Sequence, residues 1–161
     1  MVAIGMIVAA SGASPLGRGQ PAPACSAAAL DGGRRISIAD YRGKVVYLDF
    51  WASWCPPCRE SFPFMNELRR DFAGKGLEIV AISVDKTAED ARRFAAEHAA
   101  QFALALDTAA ACPAAYQLPG MPTSFVIDRT GLIRAVHEGF RSEDAAEIRR
   151  ELSEALAASK P

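Results

Sequence analysis

The sequence predicts a single α/β domain that has a central mixed β-sheet, helices on both faces of that sheet and a β-hairpin at its N-terminal end. Apolar runs of strand length alternate with segments of helical periodicity along most of the chain. Two strand-like runs near the C-terminus are separated by only a short turn, so at least one pair of strands is antiparallel. The chain has 161 residues, of which 50% are hydrophobic, and this is enough for one core.

Residues 1–19 lie before the predicted domain, which covers residues 20–161. Residues 1–13 are apolar and rich in small side chains, and Ser11-Gly12-Ala13 resembles the end of a signal peptide. A segment that crosses a membrane needs about 20 apolar residues, and this run is shorter. A signal peptide has positive charge before its apolar run, whereas here the first positive charge, Arg18, follows it. We therefore expect an export-signal or membrane-anchor remnant, or else a flexible tail, followed by a linker rich in glycine and proline.

The charge distribution excludes two kinds of partner. The formal net charge is -1, and no block of like charge occurs. Capture of nucleic acid by electrostatic attraction needs a basic surface, and an interaction arm needs a charged tail. We therefore expect partners that are selected by shape and chemistry, and no nucleic acid among them.

The first half of the domain begins with the hairpin. The turn Asp31-Gly32-Gly33 precedes a short strand over residues 35–38. Val45–Trp51 is β-branched and aromatic with almost no polar interruption, which indicates a strand buried on both faces. A helix is predicted over residues 56–73, because its apolar residues recur at helical spacing and glycines follow it.

The alternation continues through the middle of the chain. Residues 77–84 form another apolar strand, and the next helix begins at Thr87 and ends near His98. Ala103–Leu106 is a candidate short strand, which is followed by an alanine-rich helical stretch that ends near Tyr116.

The last third departs from the alternation. Residues 123–128 and 132–137 are two strands joined across Arg129-Thr130-Gly131, a turn with glycine where positive φ is needed. Ser142 begins a final helix that has one apolar face. Together the elements predict a mixed sheet with helices on both faces.

The motif that carries chemistry is Cys55-Pro56-Pro57-Cys58, at the junction between the buried strand and the following helix. The unpaired N–H groups and the positive dipole end of a helix N-terminus favour a thiolate on Cys55. Pro56 suits the first helical position and Pro57 is tolerated in the same turn. The spacing permits a reversible disulfide, so Cys55 is predicted as the nucleophile and Cys58 as the thiol that resolves the mixed disulfide.

A lone pair of cysteines at this spacing also occurs as a structural disulfide or as half of a metal site. Cys25 and Cys112 are isolated in the sequence, and His98 and His137 repeat no ligand spacing, so we expect no metal and no cofactor. The apolar strand before the motif, the helix after it and the adjacent tryptophan favour redox chemistry.

Five stretches between residues 20 and 157 carry a family resemblance that goes beyond the dithiol. They are Ala22-Pro23, Asp31-Gly32-Gly33, Tyr41-Arg42-Gly43-Lys44-Val45-Val46, Phe50-Trp51-Ala52-Ser53-Trp54-Cys55-Pro56-Pro57-Cys58 and Gly120-Met121-Pro122-Thr123-Ser124-Phe125-Val126-Ile127-Asp128-Arg129-Thr130-Gly131. In these stretches the chain resembles the thioredoxin superfamily, and within it the TlpA/ResA-like branch of exported, often membrane-tethered thiol-disulfide oxidoreductases. The resemblance implies a thioredoxin-like fold and this activity.

The resemblance also implies the surroundings of the dithiol. Pro122 would be a cis-proline that lies against the two cysteines, and it would leave the backbone of Met121 free to pair with an extended substrate segment. Trp54, with Pro56 and Pro57 beside it, is expected to shape the substrate-contact surface, although packing alone also explains a tryptophan here.

Asp49 stands six residues before Cys55, where thioredoxins carry a buried acid that exchanges protons with the resolving cysteine. Burial in an apolar strand would raise the pKa of this carboxyl, which suits a general base for Cys58. The alternative is a carboxylate that reaches solvent from the end of the strand.

Three further positions depart from the family pattern. ResA-like proteins have a glutamate three residues after the second cysteine, and here that residue is Ser61. Glu60 would point about 100° away around the helix, so we expect it to be a surface charge. Cys25 and Cys112 match positions that are apolar in the family, and in an oxidising compartment they are expected to form a structural disulfide; two separate buried thiols are the alternative.

As the resemblance implies, the expected function is reduction of particular protein disulfides in the bacterial periplasm, those of apocytochrome c or of copper-centre assembly proteins. A membrane-bound electron donor, a monomeric state and possible anchoring through the N-terminus belong to the same expectation. A disulfide oxidant is an alternative, because the reduction potential sets the direction. A Cu(I) metallochaperone is another, since soft thiolates select that ion, although a methionine or histidine ligand cluster is missing.

Overall fold

The computed structural model describes residues 16–158, so the predicted export-signal or anchor segment lies outside the described residues. The helices and strands follow in this order along the chain: β1 (Ser26–Ala29), β2 (Ile36–Ser37), β3 (Val45–Trp51), α1 (Cys58–Phe72), β4 (Leu77–Ser83), α2 (Ala88–Glu97), β5 (Ala103–Leu106), α3 (Ala111–Ala115), β6 (Thr123–Ile127), β7 (Ile133–Glu138) and α4 (Ala145–Ala157). Within residues 16–158, none of the helices has the length and apolarity that crossing a membrane requires.

The seven strands form one sheet in the order β2-β1-β5-β4-β3-β6-β7. The pairs β3-β4 and β4-β5 are parallel, and the other neighbours are antiparallel. This is the predicted mixed sheet, and the N-terminal hairpin is the antiparallel pair β1-β2. The fold prediction is therefore confirmed.

Strand β3 lies in the interior of the sheet and all seven of its residues are buried. Alternate side chains point to opposite faces of a strand. Val45, Tyr47 and Trp51 join a buried cluster with residues of α1, α2 and α4. Val46, Leu48 and Phe50 join a second cluster, to which α3 contributes. We call the two sides the α1/α4 face and the α3 face.

Several predicted boundaries were wrong by a few residues. Helix α1 begins at Cys58, two residues later than predicted, because Pro56 and Pro57 lie in a turn that precedes it. The predicted strand over residues 35–38 keeps only Ile36–Ser37, since Ile38 already begins a 3-10 turn. Ser142 likewise begins a 3-10 turn, and α4 starts at Ala145.

The predicted linker is partly attached to the sheet. The N–H of Gly19 donates to the carbonyl of Ile133 at 2.7 Å, and the N–H of Ile133 donates to Gln20 at 2.9 Å. The N–H of Ala22 donates to the carbonyl of Gly131 at 2.9 Å. Residues 19–22 therefore run antiparallel to the start of β7.

A disulfide joins Cys25 to Cys112, whose Cα atoms are 5.3 Å apart. It connects the residue before β1 with helix α3, and both cysteines belong to the buried cluster of the α3 face. The phenol of Tyr116 adds a hydrogen bond to the carbonyl of Pro23 at 3.1 Å. The N-terminal part of the domain is therefore held against α3 by a covalent bond and a hydrogen bond.

Candidate functional site

The dithiol lies where β3 ends and α1 begins. Cys55 and Cys58 form a disulfide with a Cα–Cα distance of 5.4 Å. The N–H of Cys55 donates to Ala52 at 3.1 Å, and the N–H of Cys58 donates to the carbonyl of Cys55 at 3.2 Å, so the motif forms a tight turn. Cys55 is 2% exposed and Cys58 is not exposed, which places both sulfurs just beneath the surface in this oxidised state.

The two prolines form the outer wall of this turn. Pro56 is exposed and Pro57 is half-buried. Neither lies inside α1, so the prediction that Pro56 occupies the first helical position was wrong. Pro57 has helical dihedral angles of φ -64 and ψ -22 and leads directly into the helix. Because proline fixes φ near this value, the turn is pre-formed for the helix that follows.

The two tryptophans beside the motif have opposite environments. Trp51 is buried and packs against Phe62 and Phe94, with ring centroids 4.7 and 5.2 Å away. Trp54 is 66% exposed and is the large apolar side chain that stands out in solvent among residues 16–158. An exposed aromatic next to a reactive cysteine is suited to contact with a partner protein.

Met121 and Pro122 are joined by a cis peptide bond. Thr123 pairs with Phe50 across β6 and β3, so Pro122 lies at the end of β3 that leads to the dithiol. The carbonyl of Pro122 accepts a hydrogen bond from Gly139 at 2.7 Å. Within residues 16–158, no hydrogen bond uses the main-chain N–H or carbonyl of Met121. This backbone is therefore available to an extended ligand.

Asp49 is a buried acid in the middle of β3. It is 1% exposed, and its Oδ2 atom has no hydrogen-bond partner. Burial raises the pKa of this carboxyl well above its usual value. Its side chain shares the α1/α4 face with Tyr47 and Trp51, whose cluster includes Cys58. The alternative of a carboxylate that reaches solvent was wrong, because the residue is enclosed on all sides.

The position of the family's active-site glutamate holds no acid here. Ser61 is buried, and its hydroxyl donates to the carbonyl of Cys58 at 3.2 Å. Glu60 is exposed on α1. Asp49 is therefore a buried carboxyl on the face of the sheet against which Cys58 packs.

Sequence analysis missed Asp85, which fixes the segment before the dithiol. Its carboxylate accepts hydrogen bonds from the Ser53 N–H at 3.0 Å and from the Ser53 hydroxyl at 2.7 Å. The Ser83 hydroxyl donates to it at 2.7 Å. Asp85 directly follows β4, the parallel neighbour of β3, so the two strands end at the same edge of the sheet. The signal in the sequence is an acid directly after the strand that is expected to pair in parallel with β3.

The site offers little to a metal ion beyond the two thiols. Within residues 16–158, no group of three or more histidine, cysteine or acidic side chains is arranged to hold a metal. Four groups that the site would use lie at or near the carboxyl end of β3. They are the dithiol, the Met121 backbone, Trp54 and Asp49. Such an arrangement can exchange disulfides with an extended peptide.

Comparison with known proteins agrees with this geometry. The model of the Redoxin family matches residues 18–155. Thiol-disulfide oxidoreductase ResA of Bacillus thuringiensis subsp. konkukian is 34% identical over 115 residues, which cover 71% of this chain and 66% of that relative. The chain spans less than two thirds of the length of such relatives; for ResA of Bacillus subtilis the share is 62%.

Solved structures extend the match over the whole domain. A Chlorobium tepidum structure that carries the name thiol:disulfide interchange protein DsbE has a TM-score of 0.84 and 41% identity, and the match covers 88% of this chain and 99% of that one. A second thiol:disulfide interchange protein of the thioredoxin family from Chlorobium tepidum has a TM-score of 0.74 and 30% identity, covering 90% and 99%. The chain therefore belongs to the Redoxin family, as a TlpA/ResA-like member of the thioredoxin superfamily.

Proposed function

We propose that the protein is a thiol-disulfide oxidoreductase that reduces the disulfides of extracytoplasmic proteins through Cys55 and Cys58. One observation carries the proposal: the two cysteines form a disulfide at the N-terminus of α1, on the same buried face as the unpartnered carboxyl of Asp49. This shared face supports the assignment of Cys55 and Cys58 as the redox pair and of Asp49 as the base.

In the first step the thiolate of Cys55 attacks one sulfur of a substrate disulfide. The substrate disulfide breaks, a mixed disulfide with Cys55 forms, and the released substrate sulfur takes up a proton from solvent. Cys55 precedes α1 by three residues and so lies at the positive end of the helix dipole, which favours its thiolate.

In the second step Cys58 attacks the Cys55 sulfur of the mixed disulfide. The Cys58 proton passes to the carboxylate of Asp49, the second substrate sulfur leaves, and the Cys55–Cys58 disulfide forms. The substrate gains two electrons and the enzyme dithiol loses two. A carboxylate with a raised pKa is a stronger base than an ordinary one, which supports this role for Asp49.

The surface around the dithiol supports binding of an extended protein segment. Trp54 and Pro56, next to Cys55 in the chain, are exposed, and the backbone of Met121 makes no hydrogen bond within residues 16–158. Main-chain pairing supplies affinity that depends little on sequence, and flanking side chains supply selectivity. Substrate choice would therefore depend on Trp54 and the two prolines.

The periplasm is the proposed location, with apocytochrome c or copper-centre assembly proteins as substrates and a membrane-bound protein as electron donor. The resemblance to ResA-like proteins supports the substrate class. The Cys25–Cys112 disulfide supports the location, because structural disulfides persist in oxidising compartments. Action as a monomer, with the N-terminal segment as a possible anchor, completes the proposal.

The direction of the reaction is tested by equilibrating the dithiol with glutathione redox mixtures. A reductase is expected to have a potential near that of thioredoxin, about -270 mV. A potential near about -120 mV would show an oxidant and overturn the proposed direction. The Cys25→Ala/Cys112→Ala variant serves as the control, since its signal comes from Cys55 and Cys58 alone.

Substrates are tested by trapping. Cys58→Ser removes the resolving thiol, so mixed disulfides between Cys55 and its substrates are expected to accumulate and to be released by dithiothreitol. The matched variant Cys55→Ser is expected to accumulate none. Equal trapping by the two variants would contradict the assignment of Cys55 as the nucleophile.

A further inference from the structure

A row of polar side chains crosses the α1/α4 face of the sheet and begins at Asp49. Asp49 on β3 is directly opposite Ser124 on β6, and Ser124 is directly opposite His137 on β7. Opposed residues of antiparallel strands project to the same face, with Cβ atoms about 4.5–5.5 Å apart. The three side chains therefore form a line from the centre of the sheet to its margin.

Ser124 and His137, the two members of this line beyond Asp49, each have one side-chain contact of hydrogen-bond length. The phenol of Tyr47 donates to the Ser124 Oγ atom at 2.9 Å. The Nε2 atom of His137 lies 2.6 Å from the Glu151 carboxylate on α4. We call these five residues the polar row. Because Tyr47 occupies the acceptor side of Ser124, the Ser124 hydroxyl hydrogen is free to turn toward Asp49 or His137.

The polar row runs from the interior to the solvent. Asp49 and Tyr47 are each 1% exposed and Ser124 is 3% exposed. The side chains of His137 and Glu151 are 15% and 14% exposed. Polar side chains are costly to enclose, and an apolar residue at Ser124 would also suit this core. The row thus places polar side chains at successive strand positions between the buried acid and the surface.

The proposed reaction requires a path for protons between Asp49 and solvent. Burial raises the pKa of Asp49, so this carboxyl is protonated over a wider pH range than an exposed one. A protonated Asp49 has to lose its proton before it accepts the next one from Cys58. Only 1% of the Asp49 surface is exposed, so direct exchange of this proton with solvent is restricted.

We propose that Ser124 and His137 pass protons between Asp49 and solvent, while Tyr47 and Glu151 hold them in position. The proposal rests on the proposed role of Asp49 as the base for Cys58. A proton moves from Asp49 to Ser124 Oγ as the Ser124 hydroxyl proton moves to His137 Nδ1. The Nε2 proton of His137 leaves to water beside Glu151. No electrons move, and the net change is one proton from Asp49 to solvent.

The ionisable groups around the row favour histidine as its outlet. The ionisable groups on this face near Asp49 are Tyr47 on β3, Cys58 on α1 and His137 on β7, and Glu151 and Asp144, on α4 and the turn before it, lie near enough to Tyr47 to act on its phenol. The residues opposite Asp49 on β4 and β6, Ala81 and Ser124, do not ionise. His137 is thus the one imidazole in this set, with two ring nitrogens that can receive and release a proton, and its Nε2 atom lies 2.6 Å from Glu151.

The test follows the two steps of reaction with an aromatic disulfide whose released thiolate is coloured, in His137→Ala and in the matched variant His98→Ala. His98 stacks on Phe94 at 4.1 Å and lies outside the row. For His137→Ala we expect an unchanged first step and a second step slowed about tenfold on the acid side of the Asp49 titration. On the alkaline side, where Asp49 is already a carboxylate, the two variants are expected to converge.

Added imidazole separates proton transfer from a structural role. It is expected to restore the second step in His137→Ala, because it fills the space left by the side chain and carries the same two ring nitrogens. Slowing of both steps at every pH without rescue would show that the histidine only packs, and would overturn the proposal. Where His137→Ala does not fold, Ser124→Ala is expected to show the same acid-side slowing without rescue, and a normal second step there overturns the proposal.

Asp49→Asn distinguishes this proposal from the one on which it rests. If Asp49 is the base, its amide variant slows the second step at every pH. An unaffected second step in Asp49→Asn would refute the role of Asp49 itself. A slow Asp49→Asn together with a normal His137→Ala and a normal Ser124→Ala would refute the relay alone. Ser124 and His137 act on Cys58 only through Asp49, and neither contacts the substrate in this proposal.

Discussion

Asp49, the base in the proposed mechanism, also affects the stability of the protein because it is buried. An unpaired carboxyl inside an apolar sheet is unfavourable in its charged form. Its pKa in the folded protein is raised above the value of the unfolded chain because of this burial. The contribution of Asp49 to the free energy of unfolding is therefore most favourable below the unfolded-state pKa. This contribution is lost as the pH rises through the folded-state pKa.

Asp49→Asn is expected to be more stable than the parent protein above the folded-state pKa of Asp49. Each tenfold difference between the folded and unfolded acid constants contributes about 1.4 kcal/mol to that gain. Below the unfolded-state pKa the gain is expected to vanish. Urea unfolding of the oxidised proteins over a pH series measures this. A gain that is constant with pH would show that packing, not ionisation, is responsible.

The elements around the dithiol are held together by hydrogen bonds that cross from one element to another. Asp85 at the end of β4 fixes Ser53, which lies in the segment between β3 and Cys55. The Gly139 N–H at the end of β7 fixes Pro122 in the loop before β6. The reactive segment therefore keeps its shape because neighbouring elements end at the same edge of the sheet.

Asp85→Ala is expected to lower the free energy of unfolding by about 2–4 kcal/mol, since it leaves the buried Ser83 hydroxyl and the Ser53 N–H without their partner. It is also expected to slow attack by Cys55, because the preceding segment becomes loose. Denaturant unfolding and the single-turnover rate check both effects. Asp90→Ala is the control, because Asp90 is exposed at the start of α2. It is expected to lower the free energy of unfolding less than Asp85→Ala does. Equal losses in the two variants would contradict a special role for Asp85.

The whole molecule combines two disulfides that serve different ends. Cys55–Cys58 joins residues three apart at the reactive edge, whereas Cys25–Cys112 joins residues 87 apart on the α3 face. A link across a long stretch of chain restricts the unfolded state strongly. The Cys55–Cys58 disulfide is therefore suited to reversible reduction, and the Cys25–Cys112 disulfide is suited to stabilising the fold.

Cys25→Ala/Cys112→Ala is expected to lower the free energy of unfolding by about 2–4 kcal/mol. The potential of the Cys55/Cys58 pair is expected to stay unchanged, because the two bonds lie in separate buried clusters. Chemical unfolding and glutathione equilibration measure the two quantities. An altered potential would contradict the independence of the two disulfides.

The features that depend on residues close together in the sequence could be predicted from it. The apolar run of β3, the periodicity of α1 and the spacing of Cys55 and Cys58 are all local patterns, and each was found in place. Asp85 and the polar row depend instead on which strands are neighbours and in what register. Ser124 and His137 meet Asp49 only through the pairing of β3, β6 and β7, which no local pattern specifies.

The pairing of residues 19–22 with the start of β7 has a consequence for behaviour in concentrated solution. Exposed strand margins can recruit strands from other molecules and so start aggregation. Here the outer margin of the sheet at Ile133 already has its main-chain groups occupied by Gly19 and Gln20. The opposite margin, β2, is two residues long. The chain that leads into the domain therefore covers the start of the outer margin and confines the open template on that side to the later residues of β7.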